Sequence, residues 1–370
     1  MKNTVYKIAD RTQVSPAEVR HPGQFTLEQP LQTDVEIVLG VNWSLYCLDM
    51  QRDRALFVEL PMDTDLSAAP FVYGAQFDGA LRVASVPLEL LPDLAMQVPE
   101  PGSVSLVMST GRCGSTLASR VLARIPGVWS LSEPDCFTNL ALARFELTQG
   151  QLQTLIAACT RLTCRPPAGS QTETVVLKPR SEMMVQAPDY VGALTGMAAV
   201  FLYRDCFGYV NSLYRFAQRV AGMTDPAAGS ALWEVGRRFC TINAPTAFLR
   251  DFFEDGEDIR MMDLMTLAWT LRMRAYLEAP VVRRGVAPIH YADLTSDRRS
   301  QTALLLRSCR VDIRHLDEAL QGFDRDSHSG SAGENAVTAK SMTDREHARV
   351  AELTDRWGIS DYVKDRLPPI

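Results

Sequence analysis

The chain has 370 residues, 46% of them hydrophobic and 22% charged, with a formal net charge of −6. That balance predicts a soluble globular protein and argues against global disorder. It also argues against general nucleic-acid binding, which calls for a basic excess, so any anion site must be a local gathering of Arg and Lys.

The opening MKNTVYKIADRTQ lacks the uninterrupted apolar core of a signal peptide. No run of about eighteen apolar residues follows, so no membrane partner is expected. Cysteines stand at 47, 113, 136, 159, 164, 206, 240 and 309 with no CxxC pair, which predicts reduced thiols in a cytoplasmic protein. The dispersed histidines have no ligand spacing, and no metal is expected.

Residues 1–30 are polar and Pro-containing and read as a loosely packed lead-in. From Asp34 to Leu91 the runs VEIVLGV, SLYCLDM, ALFVEL, FVYGAQF and LRVASVPLEL alternate with Asp-, Pro- and Gly-bearing turns. They predict a small β-rich subdomain over residues 1–100, of no assigned role. VPEPG at 98–102 marks a boundary, and residues 101–370 form the larger unit.

That unit opens with SVSLVMSTGRCGSTLASRVLARI at 103–125. Val104, Leu106 and Met108 alternate as in a buried strand, while Leu117, Val121, Leu122 and Ile125 repeat at helical spacing. A strand, a glycine-bearing loop and a helix place backbone N–H groups around an anion. Gly111 and Gly114 permit the turn, Ser115 and Thr116 add hydroxyls, and Arg112 adds a fixed charge. The loop departs from the nucleoside-triphosphate pattern G-x-x-x-x-G-K-[ST], since Ser115 stands where Lys should follow Gly114. Cys113 is either a reactive thiol or a small residue that fits the turn.

Strand-like runs at 128–131, 174–178, 197–203 and 287–291 alternate with helical stretches. The fold class expected is α/β, a P-loop-type, mostly parallel sheet with helices on both faces. Ligands of such sheets bind beyond the carboxyl ends of the strands, and the charged candidates follow strands directly. In FLYRDCFGYVNSLYRFAQR, Arg204 leaves a strand and Asp205 can cap the next helix. Phe207, Val210, Leu213, Tyr214, Ala217 and Val220 form its apolar face, with Gly208, Ser212, Arg215 and Arg219 on another. Arg204 with Ser212 and the two further Arg suits a dianionic phosphate, although Arg215 and Arg219 read equally as a solvated basic face.

TGRCGSTL followed downstream by FLYRDCFGYVNSLYR resembles the nucleotide-sulfate signatures of the sulfotransferase family, and YADL at Tyr291–Leu294 resembles its Tyr-Glu-Asp-Leu element. The likeness runs from Ser103 to Ile370. It implies 3′-phosphoadenosine 5′-phosphosulfate (PAPS) as co-substrate and sulfuryl transfer, in line, to a hydroxyl or amine of a small-molecule acceptor. It further implies that Arg112, Cys113, Gly114, Ser115 and Thr116 hold the 5′-phosphosulfate. Arg204 and Ser212 would hold the 3′-phosphate, with Tyr291 near the nucleotide.

The same resemblance makes Arg112 and Lys178, the latter ending strand VVLK, the cations on the leaving group and the transferring sulfuryl. Cytosolic members carry a His base two residues after that Lys, but here Arg180 stands there, and Arg accepts no proton at neutral pH. The tyrosylprotein branch instead pairs a loop Arg with a Glu base, and Glu133 in SLSEPD occupies that place. Asp135 competes for the role, and so does His328 in the Gly/Ser-rich stretch 322–340. That stretch reads as a lid, with Ser327, Ser329 and Lys340 as donor contacts, or as a surface loop.

Two other functions stay open: a P-loop kinase-like phosphotransferase, and a catalytically degenerate nucleotide-binding scaffold. Met183, Met184, Tyr209, Tyr214, Trp269 and Tyr276 either line an acceptor pocket or belong to the core. Oligomeric state is not legible. Asp344–Trp357 predicts an amphipathic helix with Val350, Leu353 and Trp357 apolar and Gly358 as its stop.

Overall fold

The computed structural model describes residues 2–15, 18–166, 169–194, 196–221, 230–324, 341–362 and 366–367. The N-terminal part is an antiparallel sheet of β1 (Lys2–Arg11), β2 (Phe25–Leu27), β3 (Leu31–Asp34), β4 (Trp43–Asp49), β5 (Arg54–Glu59) and β6 (Arg82–Pro87). Its order is β2-β1-β6-β5-β4, with β3 also paired to β1. The expected loose lead-in is therefore corrected. Residues 2–11 pair with β3 and β2 along one side and, over Thr4–Lys7, with β6 along the other, and Val5 is only 2% exposed. Polar residues alternate along that strand, so its composition hid an element whose stability comes from backbone pairing.

Two further runs fold differently from their expectation. VEIVLGV forms a 3₁₀ turn over Val35–Leu39. FVYGAQF becomes helix α1 (Val72–Gly79), which buries Val72, Tyr73, Gln76 and Phe77 on one side. Those positions lie within one helical stripe, a spacing that outweighs their β propensity. A second helix, α2 (Leu91–Gln97), leads to the boundary loop.

The second sheet contains β7 (Ser103–Ser109), β8 (Val128–Ser132), β9 (Thr174–Lys178), β10 (Ala198–Tyr203) and β11 (Ala287–His290). All its pairings are parallel, in the order β11-β10-β7-β9-β8. Every residue of β9 and β10 is buried, the pattern of strands covered on both faces. The covering helices run in chain order. α3 (Ser115–Ala123) follows β7, α4 (Cys136–Leu142) and α5 (Gln149–Thr163) follow β8, and α6 (Ala187–Ala193) precedes β10. After β10 come α7 (Cys206–Ala221), α8 (Ala231–Cys240), α9 (Thr246–Leu249), α10 (Met261–Leu277) and α11 (Pro280–Gly285). After β11 come α12 (Tyr291–Ser296), α13 (Arg298–Ser308), α14 (Leu316–Leu320) and α15 (Asp344–Arg356). The architecture is α/β, with an antiparallel β subdomain.

The larger core cluster is shared between the two sheets. It joins Leu45, Cys47, Phe57 and Val83 to Phe137, Ile156, Leu177 and Phe201. A second cluster lies on the opposite face of the parallel sheet and joins Val107, Val200 and Leu202 to Val121, Leu122, Leu305 and Leu306. All eight cysteines are buried and unpaired. Among the described residues no helix is long and apolar enough to cross a membrane.

Candidate active site

The carboxyl edge of the parallel sheet gathers the residues singled out in the sequence. At its centre β7 ends at Ser109, and the N–H of the next residue, Thr110, donates to the Leu202 carbonyl at 3.0 Å. The chain then turns through Gly111 (φ 84°), Arg112 (φ 53°) and Gly114 (φ 78°). A Cβ on Gly111 would lie 2.7 Å from Ser181 Oγ, and one on Gly114 would lie 3.0 Å from the Tyr291 ring. Arg112 adopts the left-handed region without that licence, a strain that recurs at ligand-binding turns.

Gly114 caps α3 with no side chain. The first bond across the turn is Ala118 N–H to Gly114 C=O at 2.9 Å. The N–H groups of Ser115, Thr116 and Leu117 therefore have no acceptor within the helix and carry its positive dipole end. Cys113 points the other way. Its thiol is fully buried, donates to the Leu202 carbonyl at 3.2 Å and is pushed up in pKa by burial. It is an inert space-filler, and only its backbone belongs to the loop.

On the β10 side, Asp205 caps α7 by accepting the Gly208 N–H at 2.7 Å. Arg204 donates to the Arg112 carbonyl at 3.4 Å and lies 4.7 Å from the centre of the Tyr291 ring. Arg112 turns its guanidinium toward α7, where Nε donates to Ser212 Oγ at 3.1 Å beside Phe216. Arg112, Arg204, Ser212 and Tyr291 thus form one patch. Arg215 follows on α7, and its Nε is buried without a hydrogen bond among the described residues. Nothing is described of the Arg219 side chain.

On the β9–β8 side stands an ion pair. Lys178, 2% exposed, donates through Nζ to Glu133 Oε1. Glu133 itself has φ 59°, and its N–H donates to the Lys178 carbonyl at 2.6 Å. Burial pushes the Glu133 carboxyl up in pKa, but Lys178, Arg180 and Arg112 outweigh it and hold the group below its ordinary value.

Asp135, the competing base, is corrected to a structural role. It is 0% exposed, and each of its oxygens accepts two hydrogen bonds. Oδ1 takes Arg180 Nε at 2.7 Å and Thr138 Oγ1 at 3.0 Å, while Oδ2 takes Arg180 Nη2 and the Arg20 N–H, both at 2.9 Å. With all its lone pairs engaged, Asp135 has none left for a substrate proton. It also explains Arg180: the guanidinium is fixed by this fork, stacks 4.1 Å from the Tyr73 ring and sits 3.9 Å from Glu133.

Sequence reasoning missed the support beneath the loop. Arg272 of α10, 2% exposed, donates to the Thr110 carbonyl at 3.1 Å, to Glu182 at 2.9 Å and to the Tyr209 hydroxyl. Three residues earlier, Trp269 Nε1 donates to the Arg204 carbonyl at 2.9 Å. One helix thereby fixes the backbone of both anion-facing segments. The signal was present as a lone Arg in the apolar run LMTLAWTLRM. Met183, Met184, Tyr209, Trp269 and Tyr276 are core residues, and Tyr214 packs against that core. Ser327, His328, Ser329 and Lys340 lie outside the described residues.

Among the described residues, the groups this edge presents are mainly donors: guanidinium, ammonium, hydroxyl and helix N–H. The nearby carboxylates Glu133 and Asp205 are already engaged. The set therefore fits a multiply charged anion.

No protein-family profile matches the sequence, and comparison with curated proteins finds no match. Among solved structures, one match is to the "Sulfotransferase Domain from the Curacin Biosynthetic Pathway". Its TM-score is 0.36 at 14% identity, covering 73% of this chain and 94% of that one. A likeness that slight carries no weight, and the site is read from its own geometry.

Proposed function

We propose that the chain is a sulfotransferase that uses 3′-phosphoadenosine 5′-phosphosulfate and sulfates a hydroxyl or amine of a small molecule. One observation carries the reading: a basic patch and a Lys–Glu pair flank the same helix-capping loop. Arg112, Arg204 and Ser212 lie toward β10, Lys178 and Glu133 toward β8.

In this reading Arg204 and Ser212, with Arg215 beside them, hold the 3′-phosphate. The loop N–H groups, Ser115 and Thr116 hold the 5′-phosphosulfate, and Tyr291 supports Arg204. The donor supplies an activated sulfuryl group when bound. Arg112 and Lys178 stabilise the negative charge that grows on the leaving phosphate, where fixed cations lower the barrier most. Glu133 takes the acceptor's proton. Its carboxyl is a weak base while Lys178 neutralises it, and sharing Lys178 with another anion raises its basicity. Arg180, which departs from the cytosolic pattern, is held by Asp135 and is no mark of lost activity.

A thermal-shift titration with 3′-phosphoadenosine 5′-phosphate, ADP and ATP–Mg²⁺ tests the donor. A ligand that binds only the native state raises its stability by RT ln(1 + [L]/Kd). Stabilisation by the 3′-phosphate nucleotide alone, lost in Arg204→Ala, is expected. Preference for ATP–Mg²⁺ would replace this reading by the kinase, and indifference to all three by the scaffold.

A further inference from the structure

The strand order fixes a direction across the site. Along the carboxyl edge Tyr291 follows β11, Arg204 follows β10, the anion loop follows β7, Lys178 ends β9 and Glu133 follows β8. A nucleotide held at Arg204, Ser212 and the loop covers the β10–β7 half. The acceptor must then approach over β9 and β8, where its hydroxyl can reach Glu133.

That half is walled by the N-terminal subdomain. The Phe71 ring centre lies 6.0 Å from Lys178 Nζ, and Tyr73 lies against Arg180. The two rings stack on each other, 5.2 Å apart and within 11° of parallel. Tyr73 is buried, whereas Phe71 is half-buried and keeps part of its surface open. Upstream, Ser67–Pro70 lies against Thr116, Ser119 and Arg120 of α3 across a small crevice. The segment 67–73 therefore reaches from the flank of the anion-binding helix to the ion pair.

Resting on the sulfotransferase reading, we infer that this segment forms the acceptor wall. Phe71 is its specificity-determining residue, and it selects acceptors whose hydroxyl sits on a flat, apolar body. The shelf is built before any acceptor arrives, because Arg180, locked by Asp135, fixes Tyr73, and Tyr73 fixes Phe71. An offset aromatic stack on Phe71 would add to simple apolar burial. A rigid shelf also avoids the entropy of ordering a loop on binding. The subdomain without an assigned role thus acquires one.

The test uses the full chain loaded with 3′-phosphoadenosine 5′-phosphate, with 2-naphthol and cyclohexanol as probes in calorimetric titrations. Wild type is expected to bind 2-naphthol and to prefer it over cyclohexanol. Phe71→Ala should weaken 2-naphthol about tenfold or more, and Phe71→Tyr should restore it. Nucleotide affinity should stay unchanged in both variants. With the phosphosulfate donor, Phe71→Ala should raise KM for 2-naphthol and leave kcat near wild type. If Phe71→Ala does not fold, Phe71→Leu carries the same comparison, keeping bulk and removing the flat face. No binding of 2-naphthol to loaded wild type, or equal binding in wild type and variant, overturns the inference. Phe71-dependent naphthol binding in a chain that ignores the nucleotide would instead keep the wall and overturn the donor.

Discussion

At the residue scale the decisive contact is Lys178 with Glu133, because in the proposed reaction it sets when the carboxylate can act as a base. Burial opposes charge on Glu133, and the neighbouring cations reverse that preference. Its folded pKa is depressed, so the pair stabilises the fold above the ordinary carboxylate range, and this is lost as pH falls through the folded value. Carbon-13 NMR of the Glu133 carboxyl is expected to show titration below the ordinary value in the free protein. The value should move upward in Lys178→Met and on adding 3′-phosphoadenosine 5′-phosphate, since both remove cationic charge from the carboxyl. Glu133→Gln should slow turnover of any acceptor the wild type uses by about 10²–10⁴-fold, with nucleotide binding retained. Near-normal turnover would remove Glu133 as the base. The place of these residues along one sheet edge was legible because Lys178 ends a strand and Arg112, Glu133, Arg204 and Tyr291 each follow one within three residues. Asp135 was misleading because its spacing is that of a strand-end acid, while the partners that bury it, Arg20 and Arg180, are remote in sequence.

At the element scale the informative helix is α10. Two of its charged residues face inward, where Arg272 meets Glu182 at 2.9 Å and Asp263 meets Arg349 at 3.3 Å. Periodicity reveals an apolar helix but not which polar partner a buried Arg will find, so Arg272 had no reading before the fold was known. The same limit applies to FVYGAQF, whose composition favoured a strand while its burial pattern required a helix. Removing one member of a buried pair leaves the other uncompensated, so Arg272→Ala is expected to cost about 3–5 kcal/mol in urea unfolding. Trp269→Phe keeps the packing and loses only the bond to the Arg204 carbonyl, a loss of about 1 kcal/mol. It should also weaken binding of 3′-phosphoadenosine 5′-phosphate. Unchanged stability in Arg272→Ala would show that the loop is fixed by other means.

At the scale of the whole molecule, chain order did not reveal strand order. Five parallel strands in a single sequence can be arranged in many ways, and β11-β10-β7-β9-β8 places adjacent in space strands that are distant in the chain. The change of texture at 98–102 suggests a boundary, but the texture says nothing of what crosses it. The crossing contacts are polar as well as apolar. Arg165 donates to the Leu39, Gly40 and Trp43 carbonyls, Asn139 bonds Leu48 and Arg20, and Asp135 accepts from Arg20. A chain beginning at residue 101 would expose the β4-facing side of α4 and α5. It would also strip Arg165, Asn139 and Asp135 of these partners. Each buried polar group left unpaired costs about 1–3 kcal/mol, several at once rival the whole stability of a domain, and the exposed apolar face adds to the loss. Residues 101–370 expressed alone are therefore expected to aggregate or to unfold without a cooperative transition by circular dichroism. A soluble fragment with a sharp transition and undiminished nucleotide binding would show that the parallel sheet stands by itself.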